Sequence, residues 1–413
     1  MSKRCNPILM FTIACLFAFM HALMMSIPIT MSPYFEHLLK LDSATVLNLY
    51  SIYFISCIIM QIPVGILFAK YGLRMIMLVS VLIATIGFIL HMLSSSSSML
   101  LASRLVTGAG CATAYLAGIY VAINFFDNKY LVLLIGVIET ISTFGSMVAA
   151  NPLYALLYNY GWGVANIVII ILFILIFLLT WFFVYEDAKI NASVKIVKNN
   201  FLIEFKKIIS NKSVRLLVTY AFLNWFIMMS FAGYWIRDYM INIHNYSVSK
   251  ALMLSNIYWS SFLIGNLVIG YFANSLIRIK RLALFLSKLG VGMFLFMVIP
   301  IVFSHTLIII FCILAGISGV AVILAFALVP HVTNSTYEKD VTTSIVNMAI
   351  MGGGVIGQYL FGFLIYHIKV KQTYFDNSLF SNNYYLALWI YVFAAVFALW
   401  LISKLSKQLI KVN

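Results

Sequence analysis

Ionisable side chains are scarce in the apolar stretches of this chain, so the few that occur there are the first candidates for chemistry. His21, Arg104, Glu139 and Lys288 each lie inside a run long enough to cross a membrane. A charged side chain at the centre of such a run costs roughly 2.5 to 3.5 kcal/mol on insertion scales, so it normally faces a wet cavity or a partner. Arg104 stays charged and can grip a carboxylate with two N–H groups. It is therefore an anchor for an acidic solute, a base that tunes a neighbouring acid, or a structural cation. Glu139 is the one carboxylate deep in a run, about 12 Å from its inner end at 1.5 Å per residue. It is the leading proton-coupling candidate, the alternative being an ion pair. His21 titrates near neutrality and suits proton relay or substrate binding, with Pro28 loosening its helix and freeing a carbonyl; the alternative is a histidine packed between helices. Lys288, about six residues from the start of its run, reads as snorkelling toward water.

Two helical faces accompany these residues. Arg104, Gly108, Cys111, Tyr115 and Gly118 share one, so the arginine sits among small residues that admit a second helix, and Tyr115 is a further substrate-contact candidate. Tyr220, Asn224, Met228, Phe231 and Trp235 share another, with Trp225 beside Asn224. Aromatic and amide groups so mixed suit stacking on a solute and hydrogen-bonding it, or plain packing. Asn256, Asn266, Asn347 and Gln358 read as interhelical hydrogen bonds, and Arg237 and Asp238 as a local pair at the outer surface. Gly352 to Gly357 lies in an apolar run without a preceding strand or a following Lys-Ser/Thr, so it reads as close helix packing and not a nucleotide loop.

The elements that position these residues follow from composition. Of 413 residues 64% are hydrophobic and 9% charged, with a mean hydropathy of +1.05, more apolar than a water-soluble surface tolerates. Apolar runs of spanning length fall at about 8–31, 44–68, 75–93, 99–124, 131–157, 163–185, 214–241, 251–275, 282–303, 306–329, 342–367 and 384–404. Twelve transmembrane helices are expected in an all-α membrane protein, as an N-terminal six-helix bundle (1–185), a cytoplasmic linker (186–213) and a C-terminal six-helix bundle (214–413). The net charge of +15 would suggest nucleic acid in a soluble protein, but here the basic residues report orientation. Lys3, Arg4, Lys70, Arg74, Lys129, the linker lysines, Arg215, Arg278, Lys280, Arg281, Lys339, Lys404, Lys407 and Lys411 fall on one side, against Lys40, Lys250, Lys369 and Lys371 on the other. Both termini are thereby expected in the cytoplasm. The run at 8–31 exceeds the usual h-region of about 7 to 15 residues and lacks a clear cleavage site, so it reads as the first span and not a signal peptide. Five cysteines without CxxC spacing argue against a disulfide or metal framework; no cofactor is expected, nor an enzyme activity in the short connections.

Gly65 to Arg74 and Gly270 to Arg281 each end a span with glycine followed by bases, at matching points of the two halves, which suggests an internal repeat. Gly65, Leu67, Lys70, Gly72 and Arg74 resemble the signature G-x-L-a-D-R-x-G-R-[KR] between spans two and three of the major facilitator superfamily. Arg104-Leu-Val-Thr-Gly108-Ala-Gly110-Cys-Ala112 is similar to its span-four motif R-x-x-x-G-x-G-[AC]. Gln61 to Gly65, and the pattern from Phe125-Phe126 through Gly136, Gly145 and Pro152 to Gly161-Trp162, resemble prokaryotic solute permeases of that family. The resemblance implies two pseudo-symmetric bundles and a cavity lined by spans one, four, seven and ten, which supports Tyr220 and Asn224. It also implies a gate at Gly65, Lys70, Gly72, Arg74, Gly270 and Arg278. Ala69 and Asn274 stand where the signature has Asp, so the family's carboxylate lock cannot operate in its usual form, and gating falls to Lys70, Arg74 and backbone contacts. The expected function is secondary active transport by alternating access of a small polar solute such as an organic acid or amino acid. The expected partners are that solute, a coupling proton or other ion and the lipid bilayer, without nucleic acid, for a monomer in the bacterial inner membrane. Span five carries Gly145-Ser146 in place of the Gly-Pro pair of drug and proton antiporters, which puts proton-coupled efflux of drugs or amphipathic metabolites second.

Overall fold

A computed structural model of the chain describes residues 6–31, 43–185, 201–299, 301–370 and 377–410. Of the charges used for orientation, Lys3, Arg4, Lys40, Lys189, Lys195, Lys198, Lys371 and Lys411 lie outside the described residues. Fifteen α-helices are described: α1 (Pro7–Thr30), α2 (Ser43–Met92), α3 (Ser97–Cys111), α4 (Ala114–Phe125), α5 (Leu131–Val148), α6 (Tyr154–Phe183), α7 (Phe201–Ser210), α8 (Lys212–Ser230), α9 (Ile236–His244), α10 (Val248–Phe272), α11 (Leu276–Val298), α12 (His305–Gly319), α13 (Ala321–Leu328), α14 (Thr336–Val370) and α15 (Asn377–Ile410). There is no strand among the described residues. Among the described residues eleven helical stretches are long and apolar enough to cross a membrane, and the protein is a multi-pass membrane protein.

One of those stretches, Ser51–Met92, has 42 residues, or roughly 63 Å at the helical rise, about twice the hydrocarbon thickness. The expected second and third spans run together here, and the break between them is a single residue. Gly72 has φ 77° and ψ 176°, a backbone region open essentially to glycine alone. Gly161 has the same conformation, φ 81° and ψ 176°, within α6. Pro152 lacks an N–H, and the helix widens into a π segment at Ala149–Leu153 between α5 and α6. The second half of the expected linker is ordered as α7, where Phe201, Leu202, Phe205, Ile208 and Ile209 recur at helical spacing among Glu204, Lys206 and Lys207.

The helices gather into two compact units. The first comprises Met1–Asp127, Val137–Phe205 and Ser335–Met348; the second comprises Asn128–Gly136, Lys206–Asn334 and Ala349–Asn413. Within the first, α2 packs on α3 and α6, and α1 on α4. Within the second, α10 packs on α12, and α15 on α8 and α11. The small residues of the arginine motif make the first unit tight: a Cβ at Gly108 would stand 2.7 Å from the carbonyl oxygen of Tyr53.

Candidate functional site

The first unit gathers His21 and Arg104 around Tyr53, a residue not singled out by its type. The Tyr53 hydroxyl lies 2.7 Å from His21 Nδ1 and 3.2 Å from the His21 carbonyl, and the two rings stack at 5.7 Å. The Arg104 guanidinium sits over this ring, 4.4 Å from its centroid. It donates from Nε to the Leu49 carbonyl at 3.3 Å and from Nη2 to the Met24 carbonyl at 2.8 Å. The second acceptor exists because Pro28, four residues on, has no N–H to return to Met24. Arg104 therefore ties α1, α2 and α3 together while only 1% exposed, and charge-assisted bonds with a cation–π contact offset the cost of its burial.

Glu139 and Tyr115 form the second cluster. Their side chains are hydrogen-bonded between α5 and α4, and both are part-buried. Gly118, one turn after Tyr115, allows the approach, since a Cβ there would come within 2.8 Å of Ile138. The face on which Arg104 and Tyr115 were grouped thus serves two neighbours: its first half meets Tyr53 on α2, its second half Glu139 on α5.

In the second unit Tyr220 is fully buried and its hydroxyl lies 3.3 Å from Ser287 Oγ, while Asn224 donates to the Tyr220 carbonyl at 2.8 Å. Asn224 and Ser287 line a cavity of about 20 Å³ with Tyr258, Ser318, Met228 and Phe294, room for roughly one water molecule. Trp225 turns elsewhere, its ring 6.4 Å from Phe262 and against Gly354, where a Cβ would stand 3.0 Å from Trp225 Cδ1. The glycines at 352–357 do serve close packing, as at Gly357, where a Cβ would stand 2.6 Å from the Phe226 carbonyl.

The two units share a pattern legible in the chain once seen: Tyr53, Ser56, Gln61 and Gly65 recur as Tyr258, Ser261, Asn266 and Gly270, each pair separated by 205 residues (53 to 258, 56 to 261, 61 to 266, 65 to 270). Their contacts repeat as well. A Cβ at Gly108 would stand 3.0 Å from Ser56 Cβ, and one at Gly316 would stand 3.0 Å from Ser261 Cβ. Residues 14–358 match the sequence profile of the Major Facilitator Superfamily. The chain belongs to this family. Among solved structures it is similar to the major facilitator transporter FucP in the outward conformation, with a TM-score of 0.72 at 14% identity over 94% of this chain and 98% of that one. The human organic anion transporter MFSD10 matches with a TM-score of 0.72 at 11% identity over 97% and 100%. The proton:xylose symporter XylE bound to 6-bromo-6-deoxy-D-glucose matches with a TM-score of 0.71 at 12% identity over 96% and 95%. A search of curated proteins found no match.

The residues that match the major facilitator signature are held as follows. Lys70 is exposed with its ammonium 4.8 Å over the Tyr71 ring. Arg74 donates from Nη2 to the Trp181 carbonyl at 2.7 Å and lies over the Trp181 and Tyr185 rings. Arg278 bonds Asn274, the residue at the signature's acidic position, at 3.1 Å within its own turn. Gly65 and Gly270 are close-contact points. A Cβ on Gly65 would stand 2.7 Å from Ser344 Cβ on α14, and one on Gly270 would stand 2.9 Å from Leu133 Cα on α5.

Of the amides read as interhelical bonds, Asn347 donates to Gln61 Oε1 at 2.9 Å and Gln358 to the Met229 carbonyl at 3.3 Å. Asn256 is instead exposed. Asn266 is fully buried, with neither amide atom bonded, and its backbone packs on Gly136, where a Cβ would stand 2.6 Å from the Asn266 carbonyl. Lys288 is exposed, and Arg237 meets Asp238 at 3.9 Å.

Proposed function

We propose that this chain is a secondary active transporter that moves a small polar solute by alternating access, driven by a proton gradient, as a monomer in the bacterial inner membrane with both termini cytoplasmic. Counting Ser51–Met92 as two crossings divided at Gly72 gives twelve spans, in halves 1–185 and 214–413 joined by 186–213. The reading rests on family membership, and one observation carries it to chemistry: His21, Arg104, Tyr115 and Glu139 are collected inside one helical unit. Hydrogen-bonded Glu139 and Tyr115 are suited to hold and pass a proton, and His21 on Tyr53 extends that capacity. Arg104 favours a solute with an acidic group, such as an organic acid or amino acid. Tyr220 and Asn224 supply the neutral contacts, and Gly65, Lys70, Gly72, Arg74, Gly270 and Arg278 the gate.

Solved relatives named for fucose or xylose and protons support a second substrate class, a neutral sugar. Uptake by proteoliposomes under an imposed proton gradient separates the classes, with L-fucose, D-xylose, lactate and L-alanine as probes. Accumulation of a carboxylate probe that survives Arg104→Ala at unchanged affinity removes Arg104 as anchor. Undiminished proton-driven accumulation in Glu139→Gln removes Glu139 from coupling.

A further inference from the structure

Asp340 has no part in the site described above. It lies in the second turn of α14, 7% exposed, and is hydrogen-bonded by Asn124 at the end of α4, whose amide also donates to the Tyr120 carbonyl at 3.0 Å. The Asp340 carbonyl lies 3.3 Å from the point a Cβ on Gly65 would occupy, so α2 covers this turn closely. Ser344 and Asn347, one and two turns on, continue the contact against Gly65 and Gln61. The charged groups beside it on its own helix are Glu338 and Lys339, with His367 and Lys369 more than seven turns away. On α2 they are Lys70, which is exposed, and Arg74, which is turned to the Trp181 carbonyl; beyond Asn124 the next is Asp127, also exposed.

We propose, resting on the transporter reading above, that Asp340 is a proton-binding group of the transport cycle, sealed while Gly65 is seated on Ser344 and opened to water when α2 and α14 part there. A carboxylate buried against an amide is a poor site for bare charge, whereas in water the same group exchanges its proton freely. Proton exchange is then tied to one mechanical event. The step balances without a co-reactant: one proton from water binds a carboxylate oxygen, and the same O–H bond breaks to return it to water.

Infrared difference spectra of the purified full-length protein during an acid–base titration read the C=O stretch of protonated carboxyls and need no solute. The wild-type protein is expected to show a titrating carboxylic-acid band that Asp340→Asn lacks and Asp340→Glu restores. A disulfide between Gln61→Cys and Asn347→Cys should slow that band's exchange into heavy water by about tenfold or more, by blocking local opening, and reduction should restore it. Asn124→Ala, which keeps the carboxyl and removes its donor, should shift the band and serves if Asp340→Asn does not fold. Identical spectra for wild type and Asp340→Asn, an unshifted band in Asn124→Ala, or unslowed exchange in the cross-linked protein each overturn the proposal. Because the measurement requires no flux, a transporter reading that fails in liposomes is distinguishable from a proton site that fails in the spectrum.

Discussion

Tyr53 and Tyr258 occupy corresponding places in the two units and have unlike surroundings. Tyr53 carries an imidazole at its hydroxyl and a guanidinium on its ring. Tyr258 lines a water-sized cavity with Asn224, Ser287 and Ser318. The same divergence is visible in the chain, because the residue four before Gly108 is Arg104 and the residue four before Gly316 is Cys312. His21, Arg104, Glu139 and Asp340 all belong to the first unit. One scaffold has thus been filled in two ways, with charge in one unit and neutral hydroxyl and amide groups in the other, and the two fillings should respond differently to equivalent substitutions.

The largest difference is expected at the arginine. Arg104→Ala strips the Met24 and Leu49 carbonyls of their donor and empties the space over Tyr53, so it should lower stability by about 3 kcal/mol or more. Cys312→Ala removes one buried sulfur and should cost about 1 kcal/mol. Thermal unfolding of the purified variants measures both. Equal losses would mean that Arg104 holds nothing together, and the contrast between the units would reduce to a difference of residue type.

The glycine contacts come next. Gly65→Ala and Gly270→Ala should each cost about 2 kcal/mol through overpacking, but only the first should be rescued from across the contact. Gly65 meets the Ser344 side chain, so Ser344→Gly makes room; Gly270 meets Leu133 backbone atoms, 2.9 Å from Cα and 3.2 Å from N, which no side-chain change removes. Rescue of Gly270→Ala by Leu133→Gly would show that the second contact gives way as readily as the first.

How much of this was legible beforehand depended on whether a residue's type was surprising where it stood. Arg104 and Glu139 announced themselves because charge in an apolar run demands a partner, and Pro28 announced the carbonyl that Arg104 takes. Tyr53 did not, since a tyrosine in an apolar helix is ordinary until its neighbours are known. Asp340 lies just outside the apolar run 342–367, where an acid costs nothing to explain; its burial comes from α2 and α4, which no local pattern reports. Trp225 was grouped with Asn224 by adjacency, but neighbouring residues on a helix point about 100° apart, and the ring accordingly meets Phe262 and Gly354.

Gln61 and Asn266 give a smaller effect whose sign should differ. Gln61 donates to the Ala112 carbonyl at 3.3 Å and accepts from Asn347, so Gln61→Leu leaves a buried amide without its acceptor and should cost about 2 kcal/mol. Asn266 is buried with both amide atoms unbonded, so Asn266→Leu gives up no bond and should stabilise by about 1 kcal/mol. A loss of stability in Asn266→Leu would mean that the amide finds a partner in solution, and the second unit would then be polar in the same way as the first.

The finest test separates the arginine's bonds from one another. Pro28 leaves the Met24 carbonyl without a helical donor, and Arg104 Nη2 takes it at 2.8 Å. Pro28→Ala supplies an N–H that closes the helix on that carbonyl, which favours α1 but competes with Arg104. When Arg104 is already alanine, only the gain remains. The substitution should therefore stabilise the Arg104→Ala protein more than the wild type, with a coupling energy of about 1 kcal/mol in a double-mutant cycle. Equal effects in the two backgrounds would leave the Tyr53 ring and the Leu49 carbonyl as the contacts that hold the charge, and Pro28 would then shape α1 without preparing an acceptor for it.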